Sequence, residues 1–177
     1  KSIKNTFEDA FGSIKDYEIL GLLPSYLERN NSSLVYMVQY LMKLSGQKKE
    51  GFYLNDFEKL QERLLLNTLK RQKTILFGVS FALLDFSNLF PSEFDDLIII
   101  ETGGMKGRRS EMIREELHTV IRKGIGTKQI YSEYGMTELL SMSYSNNSGY
   151  FQTGRNQKII IRDINDPRAI LEDGSSG

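Results

Sequence analysis

Short apolar runs alternate with amphipathic stretches along this chain. The first stretch, Ser2 to Ile14, carries apolar residues at Ile3, Phe7, Ala10, Phe11 and Ile14, and these spacings describe one face of a helix. Tyr17 to Leu23 reads as a buried strand stopped by Pro24. Ser32 and Ser33 offer an N-cap for a helix through Leu44, closed by Gly46. Gly51 to Leu54 is a short strand. Asn55 or Asp56 caps the next helix, with Phe57, Leu60, Leu64 and Leu65 predicted to face inward. Thr74 to Val79 is a strand, and Ser80 reads as the cap of a helix carrying Phe81, Leu84, Phe86 and Leu89. Leu97 to Thr102 is the most strand-like run, and its apolar core is continuous rather than alternating. Continuous apolar strands belong to parallel sheets covered on both faces. A helix follows from Ser110 to Lys123, burying Met112, Ile113, Leu117, Val120 and Ile121 and ending at Gly124 or Gly126. Gln129 to Glu133 is another strand. Beyond it, Leu139 to Tyr144, Gly149 to Gln152 and Lys158 to Arg162 look like strands and turns.

The order predicts an α/β fold: a mostly parallel sheet flanked by helices, with a β-rich C-terminal segment. In such sheets ligands bind outside the carboxyl ends of the strands. Two loops fall there, Thr102 to Arg109 and Ser132 to Glu138.

Composition narrows the chemistry. The chain has 177 residues, one domain's worth, with 23 Lys plus Arg balanced by 23 Asp plus Glu. That balance argues against a dedicated nucleic-acid binder, which carries a basic excess. Cysteine is absent, which removes disulfides, Cys-ligated metals and Cys nucleophiles. His118, the single histidine, sits among Glu111, Arg114, Glu115 and Arg122 and is predicted to lie on the surface. Neither a cleavable signal peptide nor a membrane span is legible, so the expected setting is cytoplasmic.

The first loop, Thr102-Gly103-Gly104-Met105-Lys106-Gly107-Arg108-Arg109, has glycines for unusual backbone angles, a hydroxyl, and three cations ahead of a helix. It is neither a Walker loop nor a dinucleotide fingerprint. Two readings stand: an anion-binding loop, or a βα connection with solvated basic residues, which the loop by itself favours. The second loop is richer. Tyr134 can present a flat face to a base. Gly135 permits a tight turn, Thr137 offers a hydroxyl to a phosphate oxygen, and Glu138 offers a hard oxygen ligand suited to magnesium. Stacking, phosphate contact and metal coordination within five residues describe a nucleotide site; a polar Gly-containing turn is the plain alternative.

Tyr134-Gly135-Met136-Thr137-Glu138 resembles the Tyr-Gly-x-Thr-Glu motif of the adenylate-forming superfamily, which includes the acyl-CoA synthetases. Three longer strings, Leu22 to Arg29, Gly78 to Phe86 and Glu101 to Arg108, resemble its acyl-protein synthetase branch, the long-chain-fatty-acid–luciferin-component ligases. The resemblance runs through most of the chain. It implies an enzyme that uses ATP and Mg2+ to convert a fatty acid to its acyl adenylate. The acyl group then passes to a thiol, in a system with an acyl-reductase protein partner. It implies Thr137 and Glu138 as catalytic residues, with Glu138 on the metal. Gly103, Gly104, Glu133, Tyr134, Gly135, Met136 and Thr137 would bind nucleotide, and Pro24, Ser25 and Tyr26 would line the acyl pocket. It divides the chain into an adenylate-binding core over 1–138 and a β-rich segment over 139–177, both within the adenylate-forming N-terminal domain. The superfamily's phosphate loop is expected upstream of Lys1. Its ribose-binding aspartate and lysine-bearing domain are expected beyond Gly177, so this segment by itself is expected to lack turnover. Gly174-Ser175-Ser176-Gly177 reads either as the family's Gly-x-x-Gly turn or as a linker. With no cysteine here, the acceptor thiol must lie outside these residues. An acyl- or aryl-CoA ligase of the same superfamily and a non-catalytic nucleotide-binding or interaction module are the alternatives.

Overall fold

The two longest apolar strand runs form the middle of the sheet. In the computed structural model, which describes residues 2–24, 32–48, 51–103, 112–136, 141–145, 149–155 and 157–176, β3 (Thr74–Val79) and β4 (Leu97–Thr102) are buried along their full length. A strand covered on both faces has no solvent side, which is why these runs do not alternate. They pair in parallel, from Thr74 beside Leu97 to Val79 beside Thr102. β1 (Glu18–Leu22) lies parallel on the other side of β3, with β2 (Phe52–Tyr53) outside it. β5 (Gln129–Tyr134) lies parallel beside β4, and β6 (Ser143–Ser145) and β7 (Phe151–Gln152) extend the sheet antiparallel. Among the described residues the strand order is β2-β1-β3-β4-β5-β6-β7. The expected α/β architecture is borne out, including the β-rich tail.

Five helices flank this sheet among the described residues: α1 (Ser2–Phe11), α2 (Ser33–Ser45), α3 (Phe57–Leu69), α4 (Ser80–Leu89) and α5 (Arg114–Ile125). Strand alternation sorts them onto two faces. On one face, Thr74 accepts a hydrogen bond from Asn67 of α3, Glu18 pairs with Arg63 of α3 at 2.6 Å, and Gly78 lies under Leu83 of α4. On the other, Gly21 lies against Val38 of α2, and the Tyr131 ring meets Phe11 of α1 at 5.1 Å. α5 packs beside α4. None of the helices is long and apolar enough to cross a membrane, among the described residues.

Caps set several boundaries where the sequence placed them. Ser32 accepts from the Val35 amide, and Gly46 ends α2 at a left-handed φ of 80°. Asp56, rather than Asn55, caps α3. Gly126 ends α5 at φ 73°, leaving Gly124 inside the helix.

Other expectations are corrected. Ala10 is exposed, and Ile14 is buried from a separate 3-10 turn rather than from α1. Leu65 is 48% exposed, because the buried stripe of α3 runs Leu60, Leu64, Asn67. A hydrogen-bonded asparagine occupies a core position there, where apolar periodicity cannot see it. Leu89 is the last residue of α4 and Ile113 is the N-cap that precedes α5, and both are exposed. Ser80 caps nothing: Val79 holds the N-cap position, and the Ser80 hydroxyl bonds across to β4. Lys158 to Arg162 forms no strand. Its pairing is a lone bridge between Arg162 and Ile170, with Ile159 and Ile160 left exposed.

At Gly124 the backbone of α5 lies close against that of α4. A Cβ there would stand 2.5 Å from the Ser87 carbonyl oxygen, and backbone cannot swing aside. Alanine would add about 1 kcal/mol of helix propensity. Overpacking against a fixed backbone costs about 1–3 kcal/mol, so Gly124→Ala is expected to be destabilising on balance. A urea midpoint that falls with unchanged slope is the expected result. A rise would mean that the two helices separate freely.

Candidate functional site

β4 and β5 end side by side, Glu101 beside Ser132, at the carboxyl edge of the parallel sheet. Successive strand residues point to opposite faces, so two clusters of polar side chains form back to back.

On the face covered by α1 and α2 lies an open cavity of about 490 Å³. It is lined by Thr102 and Gly103 at the end of β4 and Glu133, Tyr134, Gly135 and Met136 at the end of β5. Ile3 of α1 and the first turn of α2, Ser33 and Leu34, supply walls. Five residues predicted for nucleotide binding thus line one cavity: Gly103, Glu133, Tyr134, Gly135 and Met136. Pro24 is buried just after β1 and is not among the described residues lining it. Ser25, Tyr26, Gly104, Thr137 and Glu138 lie outside the described residues, as do Lys106, Arg108 and Arg109.

The Thr102 hydroxyl donates to Glu133 Oε2 at 2.8 Å. Burial raises the Glu133 carboxyl above the usual range; the Thr102 bond opposes this and the nearby Glu101 charge adds to it. The other Glu133 oxygen explains Gly135. A Cβ on residue 135 would stand 2.3 Å from Glu133 Oε1, so the glycine makes room for a carboxylate rather than for a left-handed φ. Gly103 does need its freedom, at φ 78°. Tyr134 is half exposed, its ring edge-on to Phe151 at 5.9 Å. An aromatic ring held by a neighbour yet open to the cavity can stack on a flat ligand. Among the described residues no group of three or more His, Asp or Glu is placed to hold a metal ion, and Glu138 lies outside them.

On the opposite face a buried network replaces the surface predicted around His118. Glu101 Oε1 accepts from Ser80 at 2.5 Å, and Oε2 accepts from Ser132 at 3.0 Å. Ser80 also reaches the Gly103 carbonyl at 3.2 Å, and the Ser132 amide donates to Ser145 Oγ at 2.8 Å. The His118 side chain is 13% exposed, with Nε2 at 3.3 Å from Ser132 Oγ and 4.0 Å from Glu101. Ser132 has one hydroxyl proton and gives it to Glu101, so His118 bonds it as the Nε2–H tautomer. A serine, a histidine and a glutamate are together, yet this is no nucleophilic triad. Ser132 is fully buried, and its proton points at the carboxylate. Sequence reasoning missed the network because its members are far apart in the chain. One signal was present: a glutamate closing the otherwise apolar run Leu97 to Ile100.

Burial, and then repulsion from Arg114 and Arg122, lowers the His118 pKa to about 4. The unfolded chain, with an ordinary histidine near 6.5, therefore binds more protons between those values. The stabilisation is complete above about pH 6.5 and is lost as pH falls through about 4. The full shift corresponds to about 3 kcal/mol, and partial solvent screening leaves about 1–2 kcal/mol. Urea stability of wild type should drop more steeply from pH 6.5 to 5 than that of His118→Gln. Parallel curves would show that His118 titrates normally.

No protein-family model matches the chain, and no curated protein matches it.

Proposed function

We propose that the cavity beyond β4 and β5 binds ATP with Mg2+, and that the protein activates a long-chain fatty acid as its acyl adenylate. The acyl group then passes to a thiol on a partner protein of a cytoplasmic fatty-acid reductase system. The observation that supports this reading is the Tyr134-to-Glu138 string, whose first three residues line a cavity at the carboxyl edge of a parallel sheet.

The residues present suit the ligand. Tyr134 offers its ring to adenine, while Gly103 lets backbone approach it closely. The opening turn of α2 brings a positive dipole end to the same cavity, where a phosphate would be favoured. Thr137 would donate to the α-phosphate, and Glu138 would hold the magnesium ion, which supplies charge neutralisation when bound. In the reaction a fatty-acid carboxylate oxygen attacks the α-phosphorus, and the bond from that phosphorus to pyrophosphate breaks. Negative charge grows on the α-phosphate oxygens, so a hydrogen-bond donor and a cation there lower the barrier. Pro24, Ser25 and Tyr26 would border the acyl chain.

Fatty-acid-dependent exchange of labelled pyrophosphate into ATP, measured on the intact protein, tests the reading. Exchange with long-chain acids, abolished by chelating magnesium, is the expected result. Exchange followed by transfer to coenzyme A would assign a CoA ligase instead. Binding of Mg-ATP without exchange would leave a nucleotide-binding module, and absence of both would overturn the proposal.

A further inference from the structure

The cavity has a support on the far side of the sheet. Glu101 is buried, and it faces away from the cavity, so it cannot touch a ligand there. Its two oxygens instead accept from Ser80, at the start of α4, and from Ser132, in β5. Ser80 reaches Gly103 as well, and Ser132 carries His118 of α5 and, through its amide, Ser145 of β6. One carboxylate thus gathers β4, β5 and α4 directly, and α5 and β6 through Ser132.

The residues next to this clamp are the ones that line the cavity. Thr102 follows Glu101, and Glu133 follows Ser132. Each turns to the other face of its strand, where the two bond each other at 2.8 Å. Fixing Glu101 against Ser132 sets the spacing at which Thr102 meets Glu133. Ser80 shares its one hydroxyl proton between Glu101 and the Gly103 carbonyl, which ties the left-handed Gly103 to the same clamp. Hydrogen bonds to a buried carboxylate are the strong kind, and a site's geometry depends on such supporting bonds behind it.

We propose that Glu101 is a positioning residue: by joining Ser80, Ser132 and, through Ser132, His118, it holds the ends of β4 and β5 in the arrangement that makes the cavity. Its effect on ligand rests on reading that cavity as an Mg-ATP site; the positioning itself does not.

Three substitutions in the intact protein separate positioning from plain stability. Glu101→Gln keeps both connections, since its amide oxygen accepts from one hydroxyl and its amide nitrogen donates to the other. His118 can then accept the freed Ser132 proton by changing tautomer. Glu101→Leu removes both connections, and Ser132→Ala removes one with little change of volume, which covers the case where the leucine variant fails to fold. Amide hydrogen exchange at Thr102, Gly103 and Glu133 to Met136 should accelerate about tenfold or more in Ser132→Ala, the scale of one lost hydrogen bond to a charged group. Amides of β1 and β3 should change less than about twofold, and Glu101→Gln should match wild type at both places. The Kd for Mg-ATP should rise in Ser132→Ala and Glu101→Leu and stay near wild type in Glu101→Gln. Unchanged exchange at the two strand ends, equal acceleration throughout the sheet, or damage from Glu101→Gln equal to that from Glu101→Leu would each overturn the proposal. Wild type that fails to bind Mg-ATP would overturn the nucleotide reading instead, while exchange at the strand ends would still decide the role of Glu101.

Discussion

Truncating Phe77 to alanine is expected to lower the stability of the fold by about 3–5 kcal/mol, the range for a large buried aromatic. Phe77 lies in β3, between β1 and β4, and is fully buried on the face covered by α1 and α2. Its register partners are Gly21 and Ile100. Gly21 contributes no side chain, and the space beside it is taken by the Phe52 ring and Val38. Parallel pairing on both sides keeps the flanking strands from closing in, so the space left by the ring stays open. Against a domain stability of about 5–15 kcal/mol, such a loss moves the urea midpoint by a large fraction. Leu89→Ala is the matching control. Leu89 is 64% exposed despite its apolar spacing with Phe86, and its loss should fall within about 0.5 kcal/mol. Comparable losses from the two truncations would show that burial has been assigned to the wrong residues.

The second large effect concerns chemistry. On the proposed function, Glu138→Gln in the intact protein is expected to reduce fatty-acid-dependent pyrophosphate exchange by about a hundredfold or more. The substitution keeps the shape and removes the charge. A neutral amide oxygen is a poorer ligand for a hard dication than a carboxylate. Raising magnesium should restore part of the lost rate, because the defect is one of ion affinity. Thr137→Ala should reduce exchange as well, but excess magnesium should not restore it, since a donor to the α-phosphate is missing rather than the ion. Exchange unchanged in Glu138→Gln, or a magnesium response identical in the two variants, would remove Glu138 from the metal.

The candidate site was legible to different depths. The continuous run Leu97 to Ile100 announced a strand buried on both faces, and with it a parallel sheet whose carboxyl edge is the place for a ligand. Tyr134 and Gly135 were singled out by residue type, and they line the cavity there. The reason for Gly135 was not legible. It is the carboxylate of Glu133, two residues back in the chain, which occupies the space a Cβ would take. His118 was misplaced for a related reason. Its charged neighbours in sequence lie around the helix, while the groups that bury it, Ser132 and Glu101, come from strands on either side in the chain order.

Local features of the sequence determined the elements and their ends. Ser32, Asp56, Gly46 and Gly126 act through groups within a turn of themselves, so their effects are visible in one dimension. The same holds for the apolar runs, whose length and continuity reflect how many faces will be covered. Tertiary structure alone decided the polar interior. Whether Ser80 caps a helix or bonds a carboxylate, and whether Asn67 faces water or Thr74, depends on which group stands opposite after folding. Hydrophobic burial is nearly non-directional and leaves a periodic trace in the chain. A buried hydrogen bond is directional and joins particular atoms across long separations, so it leaves none.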